Sequence, residues 1–419
     1  MRKIFVFVAL MLVSVALVAN GLSLNSVGTK ALSMGGAYVG LADDGTAIYW
    51  NPAGLIGQDN AVKLNLTDVV PFSSYKADGA DYGYPATAFN IDAETEWKDY
   101  INPNLFANYN LGNKIAMGFG VFVPAGLGAE YDGKDLAPLA KGNTSIEWKS
   151  KIGVVNFSPA LAYKLNDRFS VGVSGNVYYG MFELKRAAVI DTVAFQYSEE
   201  SNGIGLGATI GMKYKLNEVT DFGFTLRTPT KVTLSGTAEN PGMQVAQAPT
   251  KSDFDRDVTW PMWIAGGFAF QPNEKLTLTL DAQWSEWKEV DEFSTDFDDA
   301  AWKQITAASG DDKFVLNWEN KVQYRIGMEY QATPCMAVRG GWYYDPAPAP
   351  DETLNILFPS STNSVLTGGL AYTKGKFLIE LAGEYLFGVE RNVAAADHNM
   401  PGTHEMDVLA ASIGLGYNF

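Results

Sequence analysis

The two histidines, His398 and His404, are the residues of this sequence best suited to acid–base or metal chemistry. They share one segment with three carboxylates, which are Asp397, Glu405 and Asp407. A metal site, or a base for a nearby nucleophile, is therefore conceivable there. Two histidines in a loop are more often polar surface, and no metal or other cofactor is expected.

Three other motifs approach known sites without completing them. The run 296–299 (DFDD) could hold Ca²⁺ but lacks the ligand spacing of an EF-hand. The segment 128–134 (GAEYDGK) approaches a phosphate-binding loop, but Asp135 follows where Ser or Thr is required. The alternating glycines at 203, 205 and 207 resemble a dinucleotide-binding fingerprint only superficially, because they lie on one face of a strand. We therefore predict no catalytic residue.

The composition excludes several classes of protein. The 419 residues carry a formal net charge of −16, which argues against a nucleic-acid partner. Cys335 is the single cysteine, so an intramolecular disulfide framework is excluded. Mean hydropathy is −0.05, so the chain is not a bundle of membrane helices.

The first residues are typical of a processing signal. Arg2 and Lys3 form a basic start, Ile4 to Ala19 an apolar stretch, and small residues follow at Ala19 and Gly21. We predict a cleaved signal peptide over 1–21, so the protein is exported. Cleavage would remove two positive charges and change the net charge to −18.

The C-terminal stretch 406–419 alternates with a period of two. Leu409, Ile413, Leu415, Tyr417 and Phe419 fall on one face of an extended strand, opposite small and polar residues. A strand with lipid outside and water inside needs this arrangement. We expect this strand, which ends on an aromatic residue, to engage the outer-membrane assembly machinery.

Similar segments recur along the chain, and the connections between them alternate strictly between short and long. Fourteen strands are predicted, at about 61–69, 104–111, 114–123, 151–165, 169–183, 203–215, 220–230, 258–270, 275–287, 318–331, 335–344, 363–373, 376–387 and 407–419. The long connections include 184–202 and 231–257. Short periplasmic turns and long outer loops characterise outer-membrane barrels. The sequence therefore predicts an all-β protein, a 14-stranded antiparallel transmembrane β-barrel in the cell outer membrane.

The stretch that precedes the barrel has a different texture. Residues 22–57 are rich in small residues and do not alternate. A barrel of fourteen strands should leave a lumen that needs filling. We predict that 22–57 form a small N-terminal hatch, or plug, inside a barrel of residues 58–419.

The sequence resembles the outer-membrane long-chain fatty-acid and hydrocarbon transporters, the FadL family. The resemblance is carried by Asn51-Pro52-Ala53-Gly54-Leu55, preceded by Ala42-Asp43-Asp44, and it extends along essentially the whole mature chain. It includes Gly21-Leu22-Ser23-Leu24-Asn25, Pro124-Ala125-Gly126-Leu127-Gly128, and Tyr343-Tyr344-Asp345 followed by Pro346, Pro348 and Pro350.

The resemblance implies passive transport of hydrophobic small molecules. Ligands would bind among the outer loops, pass to a lumenal pocket, and leave sideways at a kink in the third strand. The hatch motif would be Asn51, Pro52 and Ala53, and the kink would involve Pro124, Gly126 and Gly128. Proline cannot donate to a sheet ladder, so pairing should fail where the third strand ends.

Apolar residues at inward positions are candidates for a ligand pocket, since most inward positions are polar. They are Phe106, Phe122, Tyr178, Phe182, Trp263 and Leu378. Packing against the hatch is an equally good explanation. Arg325 and Arg339 could meet a ligand carboxylate, but inward acids (Asp281, Glu329, Glu380 and Glu384) favour a structural charge network with them and with Lys164. Tryptophans near strand ends (Trp148, Trp284, Trp287, Trp318 and Trp342) are expected in the interfacial belts.

The expected partners are a hydrophobic ligand and the lipid and lipopolysaccharide of the outer membrane, and a plugged barrel is expected to be a monomer. Three other functions stay open. A general porin for hydrophilic solutes should conduct ions with or without residues 22–57. A barrel hydrolase would need a nucleophile near His398 or His404. An adhesin would use the acidic outer loops.

Overall fold

The structure is a computed structural model that describes residues 21–24, 27–190 and 192–419, with no side-chain description for Leu127. The predicted signal peptide lies outside the described residues apart from Gly21. Fourteen antiparallel strands close into a barrel, which confirms the predicted fold. The closing pair joins the first and last strands, from Ala61 opposite Asn418 to Lys76 opposite Thr403.

The barrel strands are numbered in chain order, and two of them are interrupted. They are β1 (Ala61–Asp78), β2 (Tyr100–Leu111), β3 (Ile115–Tyr131), β4 (Trp148–Asn166), β5 (Phe169–Ile190), β6 (Val193–Asn217), β7 (Thr220–Arg227 and Thr230–Glu239), β8 (Lys251–Trp260 and Trp263–Asn273), β9 (Leu276–Ser285), β10 (Lys321–Thr333), β11 (Met336–Asp345), β12 (Asn363–Lys374), β13 (Phe377–Gly388) and β14 (Gly402–Asn418). Each neighbouring pair is antiparallel, as hairpins with short turns require.

The remaining elements are short. Strands in the outer loops are Asn90–Glu94, Glu292–Phe297, Lys313–Val315 and Arg391–Val393. The helices are α1 (Thr29–Ser33), α2 (Ala47–Trp50) and α3 (Ala300–Ser309), with 3₁₀ turns at Pro52–Leu55, Ala80–Tyr82, Ala86–Ala88, Ala137–Ala140, Pro241–Ala246, Trp287–Glu289 and Asp351–Thr353. Among the described helices, none is long and apolar enough to cross a bilayer.

The two faces of the wall differ as the period-two pattern predicts. On β10, Tyr324, Ile326 and Met328 are exposed on the outside, whereas Gln323 and Arg325 are buried inside. Exposing these outward apolar side chains to water would be unfavourable, whereas contact with lipid chains is favourable. Each strand therefore has an oily outer face, and the polar atoms of its backbone are paired within the closed sheet.

Two of the predicted long loops are strand instead. β5 extends to Ile190 and β6 begins at Val193, so most of 184–202 is strand, and the upper segments of β7 and β8 occupy most of 231–257. The prediction failed because the outer face changes from apolar to polar above the membrane, as in the cross-strand pairs Lys149–Glu183 and Thr233–Asp257. The hydrogen-bonded ladder continues although the hydrophobic alternation does not.

The predicted interfacial position of the tryptophans is wrong for three of the five. Trp148, Trp287 and Trp318 are buried in the apolar cluster that fills the outer half of the lumen. The rings of Trp287 and Trp318 meet edge to face, with centroids 5.3 Å apart. Trp148 does begin β4, but Trp287 and Trp318 lie outside the strands, in the connection between β9 and β10, and all three are covered by loops folded over the lumen.

Candidate functional site

Asn51 holds the N-terminal segment (residues 27–57) to the barrel wall. Its side-chain Nδ2 donates to the carbonyls of Val39 and Met212, each at 3.0 Å, while Oδ1 accepts from the Ala53 amide at 3.2 Å. The last contact caps the turn that Pro52 begins, where a missing N–H costs nothing. One buried side chain thus joins the turn, the rest of the segment and β6.

Wall glycines allow this turn to approach the backbone of three adjacent strands. A Cβ on Gly211 would lie 2.2 Å from Asn51 Oδ1, and a Cβ on Gly172 would lie 2.4 Å from the Pro52 carbonyl carbon. A Cβ on Gly223 would lie 2.1 Å from the Val39 oxygen. The predicted hatch motif therefore sits on a glycine-lined surface of β5, β6 and β7.

The apolar side of the N-terminal segment packs against three of the predicted ligand residues. Phe106 and Phe122 stack with centroids 5.3 Å apart, and Tyr49 meets Phe122 at 5.5 Å and Trp263 at 6.4 Å. All are buried in one cluster with Ile48. For Phe106, Phe122 and Trp263 the structure matches the alternative of packing against the hatch.

A charge network closes the end of the lumen that carries the short turns. Lys63 contacts Asp44 at 2.5 Å and Glu380 at 2.6 Å. Arg339 contacts the same Glu380 at 2.6 Å and Glu329 at 2.5 Å. Arg339 thus belongs to the structural network that was the favoured expectation. A pair from Lys30 to Glu329 (3.3 Å) ties α1 to the same network.

Lys30 also pairs with Asp43 within the segment, at 2.7 Å. Burial would raise the pKa of Asp43, but the Lys30 ammonium and the Tyr38 hydroxyl hold that pKa well below its usual range. The Lys30 ammonium therefore favours the charged form of the Asp43 carboxyl group. A cavity of about 290 Å³ opens beside these charges, and Leu378 lines it.

The predicted kink lies in β3. Pairing between β2 and β3 runs from Leu111 opposite Ile115 to Leu105 opposite Val121 and then stops, so residues 100–104 of β2 have no ladder on that side. Pairing between β3 and β4 shifts register between Phe122 and Ala125, a bulge that contains Pro124. The unpaired stretch between β2 and β3 leaves a gap in the wall. On the outer-loop side of this gap, the Glu96 amide donates to the Glu130 carbonyl at 2.9 Å.

Residues 22–24 lie in this gap. The Leu24 amide donates to the Pro124 carbonyl at 3.0 Å, and the Gly126 amide donates to the Leu22 carbonyl at 2.9 Å. Ser23 and Ala125 form an antiparallel bridge. The chain's own N-terminal residues thus add a short strand to β3 where β2 has left it. Gly126 lies between residues 22–24 on one side and Gly153 of β4 on the other, and Gly128 pairs with Lys151 of β4.

The outer half of the lumen is filled by aromatic side chains. Tyr178 meets Trp260 at 6.2 Å, and Phe182 stacks on Phe358, also at 6.2 Å. Phe358 comes from the segment 346–362, which folds inward with Leu354 and Ile356 buried. Further out, a cavity of about 210 Å³ lies among the loops. Arg186, Tyr197, Asn240, Met243 and Ile305 line it.

Arg325 and Arg227 are both buried cations of the lumen. Arg325 donates to the Gly35 carbonyl at 3.1 Å and to Gln323 at 2.7 Å, so it supports the N-terminal segment. Sequence reasoning missed Arg227, whose guanidinium lies over the rings of Tyr49 (4.1 Å) and Trp263 (4.6 Å). The strand alternation could have identified it, because Arg227 follows the inward-facing Thr225 by two residues and therefore points into the lumen as well.

A closed barrel with an apolar outer belt, filled by its own N-terminal segment, defines a plugged outer-membrane β-barrel. The sequence model of the family described as outer membrane protein transport protein (OMPP1/FadL/TodX) matches residues 10–419. The chain belongs to this family, which transports hydrophobic compounds across the outer membrane, and it lies in that membrane.

Of two similar curated relatives, one is named for the compound that it carries and the other is not. The long-chain fatty acid transport protein of Escherichia coli K12 is 25% identical over 418 residues, covering 88% of each chain. Outer membrane protein P1 of Haemophilus influenzae is 22% identical, covering 85% of this chain and 87% of the other.

Two solved structures show the same fold. A Pseudomonas aeruginosa FadL homologue superposes with a TM-score of 0.80 at 15% identity, over 95% of this chain and all of the other. The Pseudomonas putida toluene transporter TodX has a TM-score of 0.74 at 18% identity, over 96% of this chain and all of the other.

Proposed function

We propose that this protein carries long-chain fatty acids or similar hydrophobic molecules passively across the outer membrane. Ligands enter among the outer loops, pass to a pocket in the lumen, and leave sideways through the wall at β3. The segment 22–57 acts as the hatch of this path. The protein performs no chemistry on its ligand and works as a monomer, and its last strand engages the assembly machinery.

The charges at the short-turn end support a sideways exit. An apolar molecule that left along the barrel axis would pass Lys63, Glu380 and Arg339, which pair with one another. Separating such buried pairs, or placing methylene groups among them, costs several kcal/mol. A sideways exit leaves this network in place.

The observation that carries the proposal is the interrupted ladder between β2 and β3. In the described structure, residues 22–24 add to β3 at this point by two backbone hydrogen bonds, to Pro124 and from Gly126. A net hydrogen bond contributes about 1 kcal/mol, so withdrawing this short strand costs far less than separating two barrel strands. Withdrawal would open the wall next to Phe122, within the membrane.

The outer loops offer the place of capture. The cavity of about 210 Å³ is bordered by Met243, Ile305 and the ring of Tyr197. Burying an apolar chain there or deeper contributes roughly 0.8 kcal/mol per methylene group before the costs of binding. Affinity therefore needs no charged group, although a charged group can select among ligands.

A reversible covalent lock across the gap tests the exit. Ser23 and Ala125 are bridge partners, and such pairs have the Cα separation that a disulfide needs. Ser23→Cys and Ala125→Cys are combined with Cys335→Ser. Uptake of a radiolabelled fatty acid by intact cells should stop after oxidation and return after reduction. The matched control joins Ala337→Cys and Ala371→Cys, which face each other on β11 and β12. Oxidising that pair should leave uptake unchanged.

Two results decide between the parts of the proposal. Full uptake by the oxidised Ser23–Ala125 variant would rule out exit at β3 while leaving transport itself intact. If cells that lack the protein take up the fatty acid as well as cells that have it, the transport function is wrong. Gly126→Trp should also reduce uptake, since it inserts a large ring where the short strand pairs.

A further inference from the structure

A groove of about 850 Å³ lies on the outer face of the wall, where β4 to β8 extend above the apolar belt. Its lower edge is apolar. Tyr179 and Met181 of β5 are half-buried there, and Ile204 of β6, which pairs with Tyr179, is 65% exposed. A tyrosine with this placement is typical of the membrane–water interface. The groove therefore begins at the level of the lipid head groups and continues into water.

Short polar side chains of β6 and β7 line the middle of the groove. They include Ser198 and Asn202 of β6 and Ser235 of β7. The two strands approach closely, since a Cβ on Gly236 would lie 2.0 Å from the Glu200 carbonyl oxygen. Hydroxyl and amide groups both donate and accept hydrogen bonds. This part of the groove is therefore suited to a ligand that carries several hydroxyl groups, such as a sugar.

Lysines crowd the β4 and β5 side of the groove. Lys149 and Lys185 face each other directly in the ladder between these strands, an arrangement in which like charges repel. Lys151 follows Lys149 by two residues and therefore points to the same outer face. Lys151 and Lys185 both line the groove. The strand register thus brings three ammonium groups together on the outside of the wall.

Carboxylates balance two of these three lysines. Glu183 contacts Lys149 at 2.7 Å, and Glu147 contacts Lys185 at 2.6 Å. Among the described residues, no carboxylate oxygen lies within 4 Å of the Lys151 ammonium. Burial lowers the pKa of Lys151, and the Lys149 charge lowers it further. An additional anion beside Lys151 would offset both effects.

The β8 side of the groove is acidic instead. Asp253, Asp255 and Asp257 alternate on the outer face of β8, and each accepts a hydrogen bond from a hydroxyl group of β7. An anion would be repelled there and attracted at Lys151. Sugar hydroxyl groups can donate to a carboxylate, and Glu200 offers one within the groove. The groove therefore combines a cationic edge for an anion with a polar middle for hydroxyl groups.

We propose that this groove binds a phosphorylated glycolipid of the outer leaflet, the lipid A part of lipopolysaccharide. Lys151 and Lys185 bind a phosphate, and the polar groups of β6 and β7 bind the sugars. The acyl chains lie along Tyr179 and the apolar belt below it. Lipopolysaccharide, which the sequence predicted as a partner without a site, is then a ligand with a defined position. This inference concerns the outer face of the wall and does not depend on what the lumen carries.

Binding of two forms of the lipid tests the site. Native mass spectrometry of the purified full-length protein in mild detergent gives two dissociation constants, one for bisphosphorylated lipid A and one for the same lipid A with its phosphates removed. The wild-type protein should bind the phosphorylated form about tenfold more tightly. Lys151→Gln should remove most of that difference and leave binding of the dephosphorylated form unchanged. Lys151→Arg should retain the difference, because it keeps the charge.

Lys231→Gln is the matched control for the charge. Lys231 also faces outward on the upper segment of β7, where it pairs with Asp257, but it is not among the residues that line the groove. Its replacement removes the same charge from the same level of the wall. Both dissociation constants should stay at the wild-type values.

A variant that fills the groove gives an independent test. Asn202→Trp introduces a large ring from an exposed position, so the fold should be retained, as heat-modifiability on detergent gels would show. Binding of both forms of lipid A should weaken about fivefold. Ile210→Trp is its control, because Ile210 is exposed on the same face of β6 but lies eight residues nearer the short turns. It should leave both affinities unchanged.

The site is wrong if the wild-type protein binds both forms equally, or if neither Lys151→Gln nor Asn202→Trp weakens binding of the phosphorylated form. Equal losses for Lys151→Gln and Lys231→Gln would also overturn it, because lipid would then respond to any outer charge rather than to the groove. None of these results bears on transport, which fatty-acid uptake measures separately. If Lys151→Gln does not fold, Asn202→Trp and its control decide.

Discussion

Asn51 and Met212 are joined by a 3.0 Å hydrogen bond from a side-chain amide to a backbone carbonyl, although 161 positions separate them in the chain. The same amide group holds the Val39 carbonyl at the same distance. Because Asn51 is fully buried, water cannot replace either bond. This contact makes the barrel wall and the N-terminal segment one unit.

Asn51→Ala should weaken the attachment of the N-terminal segment to the barrel wall. Two buried carbonyls would lose their donor, at a cost of about 1–3 kcal/mol each. We expect the segment to undock transiently, and single-channel recordings in planar bilayers should show openings that the wild-type protein lacks. Gln58→Ala is a control, since the Gln58 side chain donates to carbonyls of the segment, whereas its contact with Asn110 of β2 is made by the backbone carbonyl and would remain. Identical recordings for Asn51→Ala and wild type would contradict this account.

Gly211→Val should displace the same turn by steric force. The added Cβ would fall 2.2 Å from Asn51 Oδ1, a distance that requires the segment to move. Insertion into the membrane should persist, since the outer face of β6 is unchanged, but the melting temperature should fall. Gly340→Val is the matched control, because the nearest atom to its Cβ is 3.8 Å away. Equal melting temperatures for the two variants would show that the close approach is unimportant.

Lys63→Met should destabilise the short-turn end of the lumen. Glu380, whose side chain is 0% exposed, would keep only Arg339 as a described charged partner. Removing one member of a buried pair costs about 3–5 kcal/mol. Heat-modifiability on detergent gels should show unfolding at a lower temperature, and adding Glu380→Gln should restore part of the loss.

The control for that experiment is Lys231→Met on the outer wall. Lys231 pairs with Asp257, but both side chains are more than half exposed. Such pairs contribute about 0–1 kcal/mol. A loss as large as that of Lys63→Met would mean that burial does not explain the difference.

Phe358→Ala should release the segment 346–362 from the lumen. Phe358 is 1% exposed and its ring meets Phe182, Phe293 and Phe314. Losing a buried Phe costs about 3–5 kcal/mol of stability. We expect this loss to destabilise the loop more than the barrel strands. Hydrogen exchange should become faster in 346–362 and stay unchanged in β12. Equal acceleration in both regions would indicate global destabilisation instead.

Pattern and composition alone were enough for the barrel. An alternation of period two survives wherever one face meets lipid, so the strand around Leu409 to Tyr417 and its thirteen counterparts could be predicted one by one. Turn residues and loop lengths then set the antiparallel order. The same reasoning failed above the membrane, where most of 184–202 and most of 231–257 is strand with a polar outer face.

What only the folded molecule decides is which inward side chains meet. Parity places Phe106, Phe182 and Arg325 in the lumen but does not say whether each faces the hatch, a loop or a ligand. That depends on distances between residues far apart in the chain, such as Tyr49 over Arg227. Breaks such as 228–229 also reverse parity, so Thr230 and Arg227 share a level that no periodic pattern predicts. Closure of the sheet brings these residues together, because it sets the positions of all fourteen strands at once.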